Sequence, residues 1–388
     1  MRQRNSRRLG LLWIVLLATL VLPSSAGAEQ YLRSSIGQDL GYDDNIGLDS
    51  ADQEGGLTAR TSIGATLGTR SPRLDLSLTG RFGYTANVRT DRSDTHDEAL
   101  ALDAAHLAGP RTRLGLRGGV RRDTSQEDVL EDTGERRRTN DPRYTFTFTP
   151  FAVHQLTRRD NLNVSASWRR REDTSETGED FTTLSGNLGW RRSMTRRTTF
   201  GLELYGNHIE STDQQSVLAS PRLYLGYRYE ERIDLSLSLG PSIFRTETDL
   251  ATGGNVSETD YGLTVDGTLS ARLAPTTTAR VALSHYLEPA GTTGNVRETS
   301  RINLQLRQSL TRRLSFDAGG LAQRQSSVVA EGGVDRDFFQ ASTGFSYALT
   351  QQLDVGVRYR LRHEREDDDA TSNAVFMSLS YRLPEYRW

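Results

Sequence analysis

The amino-acid sequence predicts an all-β fold, a transmembrane antiparallel up-and-down β-barrel of about 18 strands, with 16 as the alternative count. Three observations predict it. Long segments alternate strictly between apolar and polar residues. Short polar turns recur at a spacing of roughly 40 residues, with longer links between them. No stretch beyond the N-terminal segment is apolar enough for a helical span. Only helices and closed barrels satisfy every backbone polar group inside lipid, and a barrel hides its apolar residues in alternate positions. A hydrophobic fraction of 35% therefore fits a chain that crosses a membrane with strands.

Residues 1–28 read as a secretory signal. Arg2, Arg4, Arg7 and Arg8 form a basic start, Leu9 to Leu22 an apolar core, and Ala26-Gly27-Ala28 a small-x-small cleavage site. Pro23 ends the apolar run, which is too short to span a bilayer with confidence in its helix. Cleavage after Ala28 leaves a single barrel domain over 29–388 whose first strand starts almost at the mature N-terminus, leaving no room for a plug or passenger domain. There is no Cys, which avoids wrong disulfides in an oxidising compartment and excludes thiol chemistry and Cys-based metal sites. Every basic side chain is Arg. Genomic base composition accounts for this, as does a use for the guanidinium, which grips carboxylate or phosphate with two donors.

The elements follow in order. A strand over 31–46 runs into a polar link at Gly47–Gly56. Strands over 57–70 and 73–88 flank the turn Arg70-Ser71-Pro72-Arg73, and Arg89–His96 leads to strands over 97–109 and 113–126 around Gly109-Pro110-Arg111-Thr112. The long charged loop Glu127–Asp141 follows. Strands over 142–154 and 161–172 flank Leu156-Thr157-Arg158-Arg159. After Asp173–Glu179, strands over 180–194 and 198–210 flank Met194-Thr195-Arg196-Arg197. The link Ser211–Ser216 is barely longer than a tight turn. Strands over 217–229 and 233–247 meet at Glu230-Glu231-Arg232, and those over 258–273 and 278–288, beyond the link Thr248–Ser257, at Ala274-Pro275-Thr276-Thr277. Beyond Pro289–Arg297, strands over 298–309 and 313–326 flank Leu310-Thr311-Arg312-Arg313. Beyond Ser327–Asp335, strands over 336–349 and 353–365 flank Leu349-Thr350-Gln351-Gln352. The last strand, over 372–387, follows Glu366–Ala370. Outer-membrane barrels place short turns in the periplasm and longer loops outside, which puts both termini on the periplasmic side.

Parity separates two faces. Tyr261, Leu263, Val265, Leu269 and Leu273 alternate with Gly262, Thr264, Asp266, Ser270 and Arg272. Leu353, Val355, Val357, Tyr359 and Leu361 alternate with Asp354, Gly356, Arg358, Arg360 and Arg362. A charge facing lipid at mid-bilayer costs about 2–4 kcal/mol, so the apolar set faces outward and the polar set inward. The inward set supplies candidate pore-lining residues Arg117, Arg121, Arg169, Arg171, Arg222, Arg228, Arg301, Arg307, Arg358 and Arg360. They either pair with acids across strands to stiffen the wall or favour anionic solutes such as uronic-acid polymers. A barrel of about 18 strands is wide enough for an aqueous channel.

The last strand carries Val375, Met377, Leu379, Tyr381 and Leu383 on its outward parity, then meets Pro384 and ends at Trp388. A terminal aromatic residue resembles the signal read by the barrel-assembly machinery. Pro384 breaks the parity between Tyr381 and Trp388.

The stretch Gly41-Tyr42-Asp43-Asp44-Asn45-Ile46, at the end of the first strand, resembles the opening of a family of outer-membrane β-barrel porins, the type 2 group. The resemblance implies an outer-membrane barrel with a part in exopolysaccharide export and association with the PEP-CTERM sorting system. It brings no catalytic residues.

The residues also bear on two other chemistries, metal binding and hydrolysis. Asp43 and Asp44 fall near Asp367, Asp368 and Asp369 if the last strand closes on the first, and hard oxygen ligands suit Ca²⁺. Solvated loop charges beside Arg362 and Arg365 account for the same residues, so no metal and no cofactor is expected. The histidines are His96, His106, His154, His208, His285 and His363. Ser284 and His285 are adjacent and point to opposite faces, and His285 shares the lipid-side parity of Leu283 and Leu287. His208 and Glu210 share a face without a third group, so no enzyme is expected. The sequence thus points to an outer-membrane pore of a Gram-negative envelope, passing polysaccharide or other hydrophilic solutes. The alternatives are a structural or docking barrel plugged by its own loops, with Glu127–Asp141 as the constriction, and an outer-membrane hydrolase. Expected partners are outer-membrane lipid, lipopolysaccharide, the assembly machinery through Trp388, and polysaccharide; no nucleic acid is expected.

Overall fold

The computed structural model describes residues 28–51, 53–88, 93–124, 141–174, 180–211, 214–250, 254–289, 296–327, 335–366 and 368–388. The expected signal segment up to residue 27, most of the loop Glu127–Asp141, and Asp367 lie outside the described residues.

Alternating sequence becomes eighteen long antiparallel strands. They are β1 (Glu29–Asp43), β2 (Gly56–Arg70), β3 (Leu74–Val88), β4 (Thr95–Gly109), β5 (Thr112–Asp123), β6 (Arg143–Gln155), β7 (Asp160–Asp173), β8 (Phe181–Ser193) and β9 (Thr198–Glu210). The second half continues with β10 (Gln214–Tyr229), β11 (Ile233–Leu250), β12 (Gly254–Ala274), β13 (Thr277–Pro289), β14 (Val296–Ser309), β15 (Leu314–Ser327), β16 (Arg336–Ala348), β17 (Leu353–Arg365) and β18 (Asp369–Arg382). Each strand pairs with its sequence neighbours, and β1 pairs with both β2 and β18, so the sheet closes and leaves no edge. Among the described residues there is no helix. Strands of 12 to 21 residues exceed the roughly 9–11 needed to cross tilted.

The eight short turns fall where the sequence places them, and four share one device. The Thr157, Thr195, Thr311 and Thr350 hydroxyls each accept hydrogen bonds from the backbone N–H groups two and three residues on. The hydroxyl thereby holds the chain in the turn before the next strand begins.

Several boundaries differ from the sequence reading, and three of them are informative. β1 stops at Asp43 because Asn45 folds the chain over, its side chain accepting from Asp49 N and donating to Asp49 O and Thr371 O. The expected loop Thr248–Ser257 is largely strand, since β11 and β12 stay paired up to Leu250 and Gly254; antiparallel pairing needs no lipid to continue above the membrane. β18 begins at Asp369, paired with Arg365.

At the C-terminus, β18 ends at Arg382 before Pro384, which has no N–H to offer the ladder. A two-residue strand, β19 (Tyr386–Arg387), then resumes pairing with Tyr31 and Leu32 of β1. Gln30 and Trp388 exchange backbone hydrogen bonds of 3.1 and 3.2 Å. The interruption shifts parity by one residue. Tyr386 lies opposite the outward Leu32, and its ring stands 5.4 Å from that of Trp388.

Candidate functional site: the inner wall and its inward loop

The two-face pattern holds around the barrel. Cross-strand pairs such as Leu67–Leu78, Leu235–Leu269 and Val357–Met377 lie on one face, and Arg222–Glu203 and Arg307–Asp317 on the other. Large apolar side chains on the first face are exposed, Met377 at 61% and Tyr261 at 77%. Such a surface requires an apolar solvent. On the second face, small residues beneath long ones are covered completely, as at Ser220 and Ser372. The polar face is the inner wall.

All ten candidate arginines lie on the inner wall. Arg117 lies opposite Asp103, Arg169 and Arg171 opposite Thr147 and Thr145, Arg222 opposite Glu203, and Arg228 opposite Asp234. Arg301 lies opposite Ser284, Arg307 opposite Asp317, and Arg358 and Arg360 opposite Gly344 and Ser342. Arg121 pairs with Asp123 at 3.1 Å. The wall carries further arginines outside those ten candidates. Arg60 reaches Asp97, Arg191 reaches Glu203 at 2.7 Å, and Arg362 reaches Asp43 at 2.8 Å.

Much of this charge is paired. Arg222–Asp266 and Arg228–Asp234 each close to 2.7 Å. Aromatic rings on the same wall take other guanidinium faces. Arg191 lies 4.0 Å from the Tyr224 ring, Arg222 4.6 Å from Tyr205, Arg171 4.5 Å from Phe181 and Arg360 4.8 Å from Phe376. The pairing is incomplete. Arg81, Arg113, Arg169, Arg272 and Arg280 make no ion pair among the described residues. A cavity of about 730 Å³ on the β11–β17 wall is lined by Arg232, Arg272, Arg280, Arg301, Arg307 and Arg358 against Glu231, Asp234 and Asp317.

The opening motif shapes the mouth. Asp43 sits at the top of β1, buried, and accepts from Arg360 at 3.1 Å, from Arg362 at 2.8 Å, from the Ser372 hydroxyl at 2.7 Å and from the Asn45 backbone N–H at 2.9 Å. Asp44 accepts from the backbone and side-chain nitrogens of Asn373. Residues 44–51 then turn into the barrel instead of rising from it. Leu48, fully buried and with a left-handed φ of 49°, packs on Leu321, Phe338 and Ala370, all on inner parity. Among the described residues it is the first loop that folds inward; the expected constriction Glu127–Asp141 lies almost wholly outside them.

This arrangement redistributes the acidic residues considered for Ca²⁺. The oxygens of Asp43 and Asp44 are committed to Arg360, Arg362, Ser372 and Asn373, and Asp369 lies 3.9 Å from Arg365. Asp368 is exposed. Among the described residues no group of three such side chains converges.

The histidines also resolve. His208 and Glu210 share the outward face beside Leu184 and Val217, with no hydrogen bond between them. His285 faces outward as expected. Leu287 does not follow it: the regular β12–β13 register ends at Val265–His285, and Leu287 is buried with Leu218 and Phe244. His285 instead meets Ser300 and Glu298 of β14, each at 2.9 Å, a contact that sequence spacing along one strand could not reveal.

Two carboxyl groups outside the strands are held below the usual carboxylate range. The Arg33 guanidinium, helped by Arg387, does this to Glu385, and the Tyr84 hydroxyl with the Asn87 backbone N–H does it to Asp94.

A closed barrel with greasy outside, arginine-lined inside and short turns at one end has the build of an outer-membrane β-barrel. The copper transporter OprC superposes with a TM-score of 0.50 at 12% identity over 89% of this chain, which spans 64% of the length of that protein. OccK2 (OpdF) of Pseudomonas aeruginosa gives 0.49 at 14% identity, covering 91% of this chain and 97% of that one. OpdK of the same organism, solved with vanillate, gives 0.47 at 14% over 92% and 99%. At 12% identity the likeness to OprC shows the fold alone. No protein-family model matches the sequence, and no curated protein matches it.

Proposed function

We propose that the chain is an outer-membrane pore for anionic hydrophilic solutes, gated by its first loop, with acidic polysaccharide as the favoured cargo. The observation that carries this reading is the excess of arginine on the inner wall. The whole chain has a net charge of −2, yet the cavity on the β11–β17 wall is lined by Arg232, Arg272, Arg280, Arg301, Arg307 and Arg358 against Glu231, Asp234 and Asp317. A low-dielectric lumen focuses such a field on passing anions. Guanidinium groups suit carboxylate and phosphate, which makes uronate-bearing polymers fitting cargo. The resemblance of Gly41–Ile46 to type 2 porins supports the same cargo. Planar-bilayer reversal potentials under a salt gradient test the reading. The expected result is anion preference that falls in the Arg280→Gln/Arg301→Gln variant; a cation-preferring pore would sink it.

A second reading, a plugged docking barrel, is favoured by the burial of Leu48 in the lumen. It predicts no single-channel steps even when the loop is released.

A further inference from the structure

On the outer surface of β13 and β14, three side chains from two strands form a connected line. Ser300 Oγ lies 2.9 Å from His285 Nδ1, and His285 Nε2 lies 2.9 Å from Glu298 Oε1. We infer that Ser300, His285 and Glu298 form an acyl-ester hydrolase site for lipids of the outer leaflet, with Arg324 as its cation.

The chemistry is that of an activated hydroxyl. With the imidazole proton on Nε2, His285 donates to Glu298 and leaves Nδ1 as acceptor for the Ser300 hydroxyl. Glu298 fixes this tautomer and stabilises the imidazolium that forms when the hydroxyl proton is taken. The acid reaches Nε2 and the nucleophile Nδ1, which serves proton transfer as well as the opposite assignment. Arg324 of β15 is the direct cross-strand partner of Ser300 on the side away from His285. Its contacts to Asp335 and Asp337 are long, 3.8 Å each, and its side chain is 64% exposed. It therefore stands beside the position where a carbonyl oxygen would gain charge on attack.

The height on the barrel selects the substrate. His285 is four residues from the extracellular end of β13 at Pro289, and Ser300 four from that of β14 at Val296. β13 has 13 residues, more than the roughly 9–11 that cross hydrocarbon, so this level stands at the boundary of tails and headgroups. Leu283 and Ile302, next below on the same face, are exposed to the tails, and the charged Glu298 lies above. Ester carbonyls of membrane lipids lie at that boundary. A lipid-side position is of no use to a solute in the lumen, so this activity is separate from the pore.

The reaction balances without a co-reactant other than water. Ser300 Oγ bonds to the acyl carbon as its proton passes to His285. The alkoxy C–O bond breaks, and the lyso-lipid leaves with that proton. Water then gives a proton to His285, attacks the acyl carbon and releases the fatty acid, and the proton returns to Ser300.

The test uses the full mature barrel in mixed micelles with a fluorogenic diacyl phosphatidylethanolamine and a fluorophosphonate label, folding being verified by heat-modifiable gel mobility. The expected results are fatty-acid release and a label mapped to Ser300. Ser300→Ala should remove the label and lower release on the order of 100-fold while conductance is unchanged. Glu298→Gln, a change in the positioning residue, should retain the label and lower kcat for release while leaving KM near the wild-type value, and Glu298→Asp should restore part of the rate. A folded wild-type barrel that takes no label and releases no fatty acid overturns the assignment, as does Ser300→Ala releasing at the wild-type rate.

Discussion

Asp43 and Arg362 meet at 2.8 Å across the seam where the last strand closes on the first, and Arg360 reaches the same carboxylate oxygen at 3.1 Å. Arg362 is 2% exposed, so neither partner can turn to water if the other is lost. Removing one member of a buried ion pair costs about 3–5 kcal/mol, because an uncompensated charge remains. Asp43→Asn should therefore lower unfolding stability by about that much in a urea titration followed by tryptophan fluorescence in detergent. Replacement of both arginines by methionine together with Asp43→Leu should recover much of the loss. Equal stability of the single variant and the wild type would show that the seam is held by its backbone ladder alone.

Leu48 is the second anchor of the first loop. Its burial on Leu321, Phe338 and Ala370 is local to the lumen, far from the lipid face, and a large-to-small change of a buried leucine costs about 2–5 kcal/mol. Beside it, the Asn45 hydrogen bonds and those between Asp44 and Asn373 hold the loop. Leu48→Ala should undock the loop without unfolding the barrel, raising single-channel conductance while the gel shift on heating stays as in the wild type. Unchanged conductance would mean that the loop does not narrow the conducting path.

The strand count, the turns and the two faces were legible in the sequence because each depends on spacing of residues along one chain segment. Leu263 and Arg272 could be assigned to opposite faces from parity alone, and lipid chose which face was out. The inward course of residues 44–51 was not legible. It depends on Leu48 meeting side chains from three distant strands, and the polar composition Gly47–Gly56 looks the same for a loop that rises. The association of His285 with Ser300 was hidden for a similar reason. Ser284 is the neighbour in sequence, but register across a loop at 290–295 decides which serine faces the ring. Arginine placement on the wall was readable, whereas the partner of each arginine was not, since diagonal contacts such as Arg222–Asp266 skip a strand.

Gly240 marks the tightest backbone approach in the wall. A Cβ there would stand 1.9 Å from the Pro221 carbonyl oxygen, and both groups are backbone that cannot rotate aside. The β10–β11 ladder loses regular pairing between Ala219–Ile243 and Leu223–Leu239, where Pro221 supplies no N–H. Gly240→Ala should cost about 1–3 kcal/mol in equilibrium unfolding, as overpacking does. Gly186 has nothing within 4 Å of the same position, so Gly186→Ala should fall within about 0.5 kcal/mol of the wild type. Similar values for the two variants would remove the steric argument.

The C-terminal clamp should respond to acid. Glu385 lies between Arg33 and Arg387, each 2.5 Å away, and the hydrogen bond from Arg33 holds its carboxyl below the usual range in the folded barrel. A depressed folded value means that the unfolded chain binds the proton more readily. The clamp's contribution is therefore fully present above the ordinary glutamate range and is lost as pH falls through the lower folded value. Because Glu385 tethers β19 to β1 beside Trp388, acid should first free the C-terminal segment. Hydrogen exchange at Leu32 and Trp388 should speed up relative to mid-barrel amides as pH is lowered through that window, after correction for intrinsic rates. Glu385→Gln should show the faster exchange already at neutral pH and lose the acid dependence. Exchange at Trp388 that stays pH-independent in the wild type would show that the backbone pair with Gln30 holds the terminus without help from the ion pairs.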